Sequence, residues 1–376
     1  MKYYIIAGET SGDLHGANLI HALKTQDTEA QFRIVGGDRM EQATGGAAVI
    51  HVSQMAFMGF VEVLANVRTI SRNLDLVKAD IAAYQPDTLI LIDFPGFNLK
   101  IAAFAKKMGL KVCYYISPKV WAWNQRRVLK IKRVVDKLFC ILPFEVDFYR
   151  KWGLEVDYVG NPLLDAVASY TFKDRFLDEN NLRNRPIIAL LPGSRAMEIS
   201  RLLPIMARVS LLFPGHHCVV AGAPNFTMSY YRQHMDGMEL PVVFNATYDL
   251  LRHAEAAVVT SGTATLEAAL LRVPQVVVYR ANPLSIAIAR MVIKVRFISL
   301  VNLITDMLAV RELIQKDCHV DSIADELDLL INNKAYRENI LENYDILKEK
   351  MGEQGASQRT AKLIVNFLGK SGAPST

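Results

Sequence analysis

Two segments combine residue types and spacing that bear directly on chemistry: Leu190-Leu191-Pro192-Gly193-Ser194-Arg195 and Thr260-Ser261-Gly262-Thr263-Ala264-Thr265-Leu266-Glu267. Each puts a glycine and small hydroxyl residues where an apolar run, Ile187 to Leu191 or Ala256 to Val259, gives way to a helical pattern. A strand end, a glycine turn and a helix start expose unpaired amides at the positive end of a helix dipole, which is a seat for phosphate. Two such seats in one half-chain point to a diphosphate, as in a nucleotide-sugar. Arg195 offers a charged fork to that diphosphate; the alternative is an ordinary surface arginine at a helix start, where its sign is unfavourable. Glu267 falls about one turn into its helix. It is placed either to accept both hydroxyls of a ribose or merely to complement the dipole. No Asp-x-Asp pair and no His/Cys/carboxylate cluster at metal spacing occurs, so metal-free chemistry without a cofactor is expected.

The first half carries different groups. Ala7-Gly8-Glu9-Thr10-Ser11-Gly12-Asp13 reads as a polar turn after a first strand, without a GxGxxG pattern or a P-loop lysine. Its carboxylates, Glu9 and Asp13, favour sugar hydroxyls or proton transfer over anion binding. Asp93 follows the apolar run Leu89 to Ile92 and precedes Phe94-Pro95-Gly96. There it is a candidate general base, or a cap of the next turn. In Ser117-Pro118-Lys119-Val120-Trp121-Ala122-Trp123-Asn124 the two tryptophans suit a platform for a sugar ring or acyl chains, or core packing. Read as a helix, the next stretch aligns Arg126, Lys130, Arg133 and Lys137 on one face. That face fits an acceptor phosphate, anionic lipid headgroups or plain solvent. Met55 to Leu64, with Met58 and Phe60, and Leu284 to Ile298 suit shallow insertion between lipids or a place in the core.

These residues need a scaffold, and the pattern supplies one. Strands are expected at Tyr3 to Ala7, Phe32 to Val35, Thr88 to Ile92, Lys111 to Ile116 and Lys137 to Leu142. A second series covers Ile187 to Leu191, His217 to Ala221, Val242 to Phe244, Ala256 to Val259 and Gln275 to Tyr279. Helical patterns such as Leu14 to Lys24 and Leu99 to Met108 lie between them. Nearly continuous apolar strands alternating with helices indicate α/β architecture with parallel, doubly wound sheets. A polar region, Lys173 to Arg185, marks a change of domain. Two Rossmann-like domains facing a cleft are expected, residues 1–165 and 166–349. Ala335 to Leu368 reads as helix, and its later part, about 350–370, is expected to pack back on the first domain.

Composition sets bounds on partners. Among 376 residues 51% are hydrophobic and 22% charged, which argues against disorder. A net charge of +5 is too small to imply nucleic acid. A mean hydropathy of +0.15 hints at membrane contact. No run of about 18 apolar residues offers a spanning helix. Met1-Lys2 leads into a strand-like Tyr3-Tyr4-Ile5-Ile6 and not an apolar leader. Cys113, Cys140, Cys218 and Cys318 form no CxxC pair and read as buried, reduced thiols of a cytoplasmic protein. Oligomeric state is hidden, with a homodimer left open.

Taken in order, these segments resemble the lipid-A-disaccharide synthases, glycosyltransferases of the two-domain GT-B type. The resemblance rests on the Gly8 to Asp13 loop, Met58 to Leu64, Ile92 to Asn98, Ser117 to Trp123, Leu142 to Glu145, Leu191 to Arg195, Ser261 to Glu267 and Ser299 to Leu303. It implies an inverting hexosyl transfer. UDP-2,3-diacylglucosamine donates its sugar to the 6-hydroxyl of 2,3-diacylglucosamine 1-phosphate, giving a β-1′,6 disaccharide and UDP. It further implies that Asp93 is the base or its electrostatic partner and that Arg195 and Asn302 meet UDP. Ser194, Gly262 and Thr263 would line the diphosphate, Glu267 the ribose, and Glu9 and Asp13 the acceptor side. A peripheral place on the inner face of the cytoplasmic membrane follows. The chain departs from the family pattern at His15, Asp38, Gly96 and Asn161; Gly96 stands where many members carry a second acid. Two other readings stay open: a UDP-N-acetylglucosamine 2-epimerase, and a non-catalytic peripheral membrane protein that binds UDP-lipids.

Overall fold

The computed structural model describes residues 1–55, 67–282 and 296–371. The chain divides into two compact units, Met1–Pro162 with Glu353–Thr376, and Leu163–Gly352.

Unit 1 holds six strands: β1 (Lys2–Ala7), β2 (Gln31–Val35), β3 (Thr88–Ile92), β4 (Lys111–Tyr115), β5 (Lys137–Cys140) and β6 (Asp157–Tyr158). They pair in parallel in the order β2-β1-β3-β4-β5-β6. Helices cover both faces, so alternate residues of one strand enter different cores. Tyr4, Ile6, Leu89 and Leu91 pack on one side; Tyr3, Ile5, Ile90 and Ile92 pack on the other. Burying an Ile or Leu side chain in this way contributes about 1.5–3 kcal/mol. The C-terminal helix Ala356–Ser371 packs on the helix Thr10–Gln26, with Ala361 and Ile364 buried in the second core.

Unit 2 repeats the plan with β7 (Ile187–Leu191), β8 (His217–Gly222), β9 (Val242–Phe244), β10 (Ala254–Thr260), β11 (Gln275–Tyr279) and β12 (Glu312–Ile314), ordered β12-β11-β10-β7-β8-β9 and all parallel. Both sheets are doubly wound and Rossmann-like.

In each sheet the strand order reverses once. Unit 1 runs outward from β1 to β2, then crosses back to β3 on the other side of β1. Unit 2 runs from β7 through β9, then crosses back to β10 on the other side of β7. Helices on either side of a reversal leave the sheet in opposite directions and open a crevice at the carboxyl ends of the two strands. Gly8 and Asp93 follow the strands that flank the first reversal. Pro192-Gly193 and Ser261-Gly262 follow those that flank the second.

Three expectations change. The Gly8 to Asp13 turn is shorter than expected, because the helix starts at Thr10 and Asp13 lies in its first turn. The basic stretch is not one helix to Lys137: a 3-10 turn (Gln125–Arg127) and a short helix (Val128–Val134) end before β5, and Lys137 pairs with Asp157 at 3.2 Å. The tail is two helices, Lys334–Met351 and Ala356–Ser371, parted where Gly352 and Gly355 take φ of 72° and 99°. Only glycine takes such values at no steric cost.

Candidate functional site

At the end of β3 two consecutive residues take the left-handed conformation: Asp93 with φ 43° and Phe94 with φ 48°. Neither is glycine, and each costs on the order of 1–3 kcal/mol. Local bonds hold the strained pair. The Asp93 amide continues the ladder to the Tyr115 carbonyl at 3.2 Å. The Asp93 carbonyl accepts the Asn98 side-chain amide at 2.8 Å and the Tyr114 hydroxyl. A Cβ on Gly8 would lie 2.2 Å from the Phe94 ring, so only glycine lets that ring approach the end of β1. Burial raises the Asp93 carboxyl above its ordinary range; the Lys119 ammonium pulls it down, Glu9 pushes it up and the Phe94 amide lowers it. A half-buried carboxyl at a reversal of strand order, tuned by an acid and a base, is equipped to take a proton.

Glu9 occupies the N-cap position of the helix Thr10–Gln26 without capping it. Asp13 differs from expectation. It is buried, and its oxygens accept the amides of Gly37 at 2.7 Å, Arg39 at 3.1 Å and Met40 at 3.1 Å. These are orphan donors at the start of the helix Asp38–Thr44, so Asp13 is its external cap and not a group turned toward substrate.

The tryptophans part company. Trp121 is 7% exposed, stacks edge-on to Phe144 and donates its indole N–H to Glu145 at 3.0 Å. Its ring belongs to the core and cannot serve as a platform. Trp123 is 48% exposed, with the Arg127 guanidinium 4.7 Å from its ring centre. Arg126 and Arg133 are exposed. Burial, then the charges of Lys100, Arg127 and Arg133, hold the Lys130 ammonium below its usual range. The patch is therefore crowded with positive charge. Met58 and Phe60, and most of Leu284 to Ile298, lie outside the described residues.

In unit 2 the first expected phosphate seat is already filled by the protein. The Glu198 carboxylate accepts the amides of Ser194 at 3.1 Å and Arg195 at 3.2 Å. Ser194 and Arg195 are themselves exposed, and one guanidinium nitrogen of Arg195 lies 3.3 Å from Glu198. The second seat is open: the amides of Gly262, Thr263 and Ala264 make no hydrogen bond among the described residues. Ser261 fixes that turn, its amide donating to Val278 at 3.1 Å and its hydroxyl to Ile298 at 2.8 Å. Glu267 is half-buried beside it and accepts the Tyr248 hydroxyl at 3.1 Å. Burial raises its carboxyl and that bond lowers it. After the carboxyl ends of β11 and β12, Arg280, Gln315 and Lys316 line, with Arg201, a cavity of about 410 Å³.

Asn302 corrects another expectation. It is fully buried, donates to the Val310 carbonyl at 2.9 Å and to Glu312 at 2.8 Å, and accepts the Val310 amide at 2.9 Å. With both ends of its amide engaged, it fastens the helix Leu300–Thr305 to the start of β12 and has no free amide donor or acceptor end turned outward. Lys119, Glu145, Tyr248 and Glu198 are neighbours to which the sequence alone assigns no role. Glu145 and Lys119 lie inside the segments that carry the family resemblance; Tyr248 carries no local signal.

Among the described residues no group of three or more His, Cys, Asp or Glu side chains could hold a metal ion. None of the described helices is long and apolar enough to cross a membrane.

Residues 3–365 match the family described as lipid-A-disaccharide synthetase. The lipid-A-disaccharide synthase of Trichlorobacter lovleyi is 38% identical over 98% of this chain and 98% of its own length. That of Geobacter sulfurreducens is 38% identical over the same shares. Among solved structures, a putative UDP-N-acetylglucosamine 2-epimerase from Listeria monocytogenes superposes with a TM-score of 0.69 at 12% identity, over 100% of this chain and 97% of its own. At that identity the likeness is one of fold.

Proposed function

The chain belongs to the lipid-A-disaccharide synthetase family, and from that premise we propose that it transfers a 2,3-diacylglucosamine unit from UDP to the 6-hydroxyl of 2,3-diacylglucosamine 1-phosphate. The observation that supports this reading best is where the strand order reverses. The base candidate follows the reversal in unit 1, and the open amides with Glu267 follow the reversal in unit 2.

In this mechanism Asp93 accepts the proton of the acceptor hydroxyl as its oxygen bonds to the anomeric carbon. The bond from that carbon to UDP breaks, and its electron pair leaves on the diphosphate. One displacement inverts the α-linked donor to the β-1′,6 product. The amides of Gly262, Thr263 and Ala264 and the charge of Arg195 stabilise the departing diphosphate, so no step is assigned to a metal. Glu267 binds the ribose hydroxyls. Glu9 acts on Asp93 electrostatically. Trp123, Arg126, Lys130 and Arg133 meet the acceptor or an anionic lipid surface; a peripheral place on the inner face of the cytoplasmic membrane belongs to the same proposal.

The test mixes both lipid substrates with the protein in detergent, with and without chelator. Disaccharide 1-phosphate and UDP should form in equal amounts in both. Epimerisation of UDP-N-acetylglucosamine without transfer, or binding of UDP-lipid without release of UDP, would replace the proposal with one of its rivals.

A further inference from the structure

Glu145 is a buried carboxylate to which the reaction assigns nothing. It lies on the helix Phe144–Arg150, directly after β5. One oxygen accepts the Ser117 hydroxyl at 2.6 Å and the Trp121 indole N–H at 3.0 Å. The other accepts the amides of Ile141 at 3.3 Å and Leu142 at 3.1 Å. Four donors are what an ionised carboxylate needs if it is to stay buried. Burial pushes it up to about 7, while those four bonds each lower it. One turn further on, Tyr149 donates its hydroxyl to the Pro118 carbonyl at 3.2 Å. A single helix thus grips the chain at residues 117, 118 and 121.

The gripped segment begins beside the base. Ile92 and Tyr115 are partners across β3 and β4, so residues 93 and 116 leave neighbouring strand ends. Ile116 takes φ 62°, a left-handed conformation that a β-branched residue adopts only under constraint. Ser117, Pro118, Val120 and Trp121 are all buried, and Lys119 alone between them is exposed. Of the charged groups that act on Asp93, Lys119 is the cation and Glu9 the anion. The Tyr114 phenol packs beside Asp93 as well. Around Glu145 the titratable neighbours are Cys140, Tyr149 and Tyr158.

We propose that Glu145 is a positioning residue for the transfer: by fixing Ser117 and Trp121 it holds the segment that carries Lys119 at the strand end next to the one that Asp93 follows. The catalytic consequence rests on the reading of Asp93 as the base. Without the clamp Lys119 moves away, burial and Glu9 are opposed by the Phe94 amide alone, and the carboxylate protonates at higher pH. Glu145→Gln keeps the shape, but its NH₂ group faces donors it cannot accept from.

The experiment uses the full chain and reads two quantities. The Asp93 carboxyl is titrated by carbon NMR of labelled aspartate, assigned by its loss in Asp93→Asn. The pH profile of kcat/KM is measured with both lipid substrates in detergent. Lys119→Met and Glu145→Gln should each move the titration and the acid limb upward, and the double variant should move them no further than Lys119→Met alone. In Glu145→Gln, kcat should fall by up to about 10²-fold with the donor KM unchanged. Ser117→Ala removes one of the four donors, should shift both readouts less in the same direction, and serves if Glu145→Gln does not fold. An Asp93 titration that stays put in Glu145→Gln or Ser117→Ala, or a shift that adds fully to that of Lys119→Met, would overturn the proposal. Should the titration move while Asp93→Asn keeps turnover, the clamp stands and the base assignment falls.

Discussion

The Glu198 carboxylate accepts the Ser194 amide at 3.1 Å, on a turn that the sequence marks as a phosphate seat. Gly193 makes this approach possible. Its φ is +105°, and a Cβ there would lie 2.4 Å from a Glu198 oxygen. The clash and the left-handed backbone are separable costs. Gly193→Ala should lower stability by about 1–3 kcal/mol. Adding Glu198→Ala should restore part of it, because the contact with the carboxylate goes while the backbone strain and the contact with the Cβ of residue 198, at 2.8 Å, stay. Thermal unfolding of the single and double variants checks this. Simple additivity would mean that Glu198 does not constrain residue 193.

Asp93 gives a prediction in which activity and stability move in opposite directions. Its carboxyl is raised above the ordinary range, chiefly by burial. The folded chain therefore binds that proton more tightly than the unfolded chain does. Its contribution is most favourable below the unfolded pKa and declines as pH rises to the folded value. Asp93→Asn should raise the melting temperature at pH 7 to 8, with the gain shrinking in acid. Turnover should fall roughly 10²- to 10⁴-fold, with UDP affinity unchanged. A variant that is less stable at pH 8 would show that the carboxylate has a favourable partner in the fold.

Tyr248 and Glu267 form the pair that the nucleotide reading depends on. The Tyr248 hydroxyl holds one carboxylate oxygen at 3.1 Å and leaves the other for a ribose. Tyr248→Phe keeps the ring and removes one hydrogen bond, worth about 0.5–1.5 kcal/mol. UDP affinity by calorimetry should fall by roughly two- to ten-fold. Glu267→Ala should cost more. Equal affinities in all three proteins would remove the ribose role.

The parts of this structure that a sequence shows are those built from adjacent residues. An apolar run, a glycine and a helical pattern lie in order along the chain, so both strand-order reversals carry residues that the sequence singles out. Strand β6 is two residues long and leaves no period to detect. Long-range partners are invisible for another reason. Trp121 is drawn inward by Glu145, 24 residues away, and Asn302 is closed off by Val310 and Glu312. Asp13 looks like a substrate ligand until the helix start at Gly37 is folded against it. In each case a polar side chain found a partner that its neighbours in sequence do not reveal. Asp93 is visible as an acid after a strand; its left-handed backbone and the opposing charges of Lys119 and Glu9 that act on it are not.

The basic patch supplies a test of surface recognition. Arg126 and Arg133 are exposed, and Lys130 sits among like charges that lower its proton affinity. Such crowding is relieved when an anion arrives. Near an anionic bilayer each basic residue contributes about 1 kcal/mol, falling off within a Debye length. Replacing Arg126, Lys130 and Arg133 together by alanine should therefore weaken binding to phosphatidylglycerol vesicles by roughly 10²-fold at low salt, and much less at about 0.5 M salt. Sedimentation with vesicles across a salt series reads both effects. Trp123→Ala tests the apolar share of the same surface, and its loss should persist when salt is raised. If the triple variant sediments like the parent at low salt, the face is solvated and the lipid surface is met elsewhere on the chain.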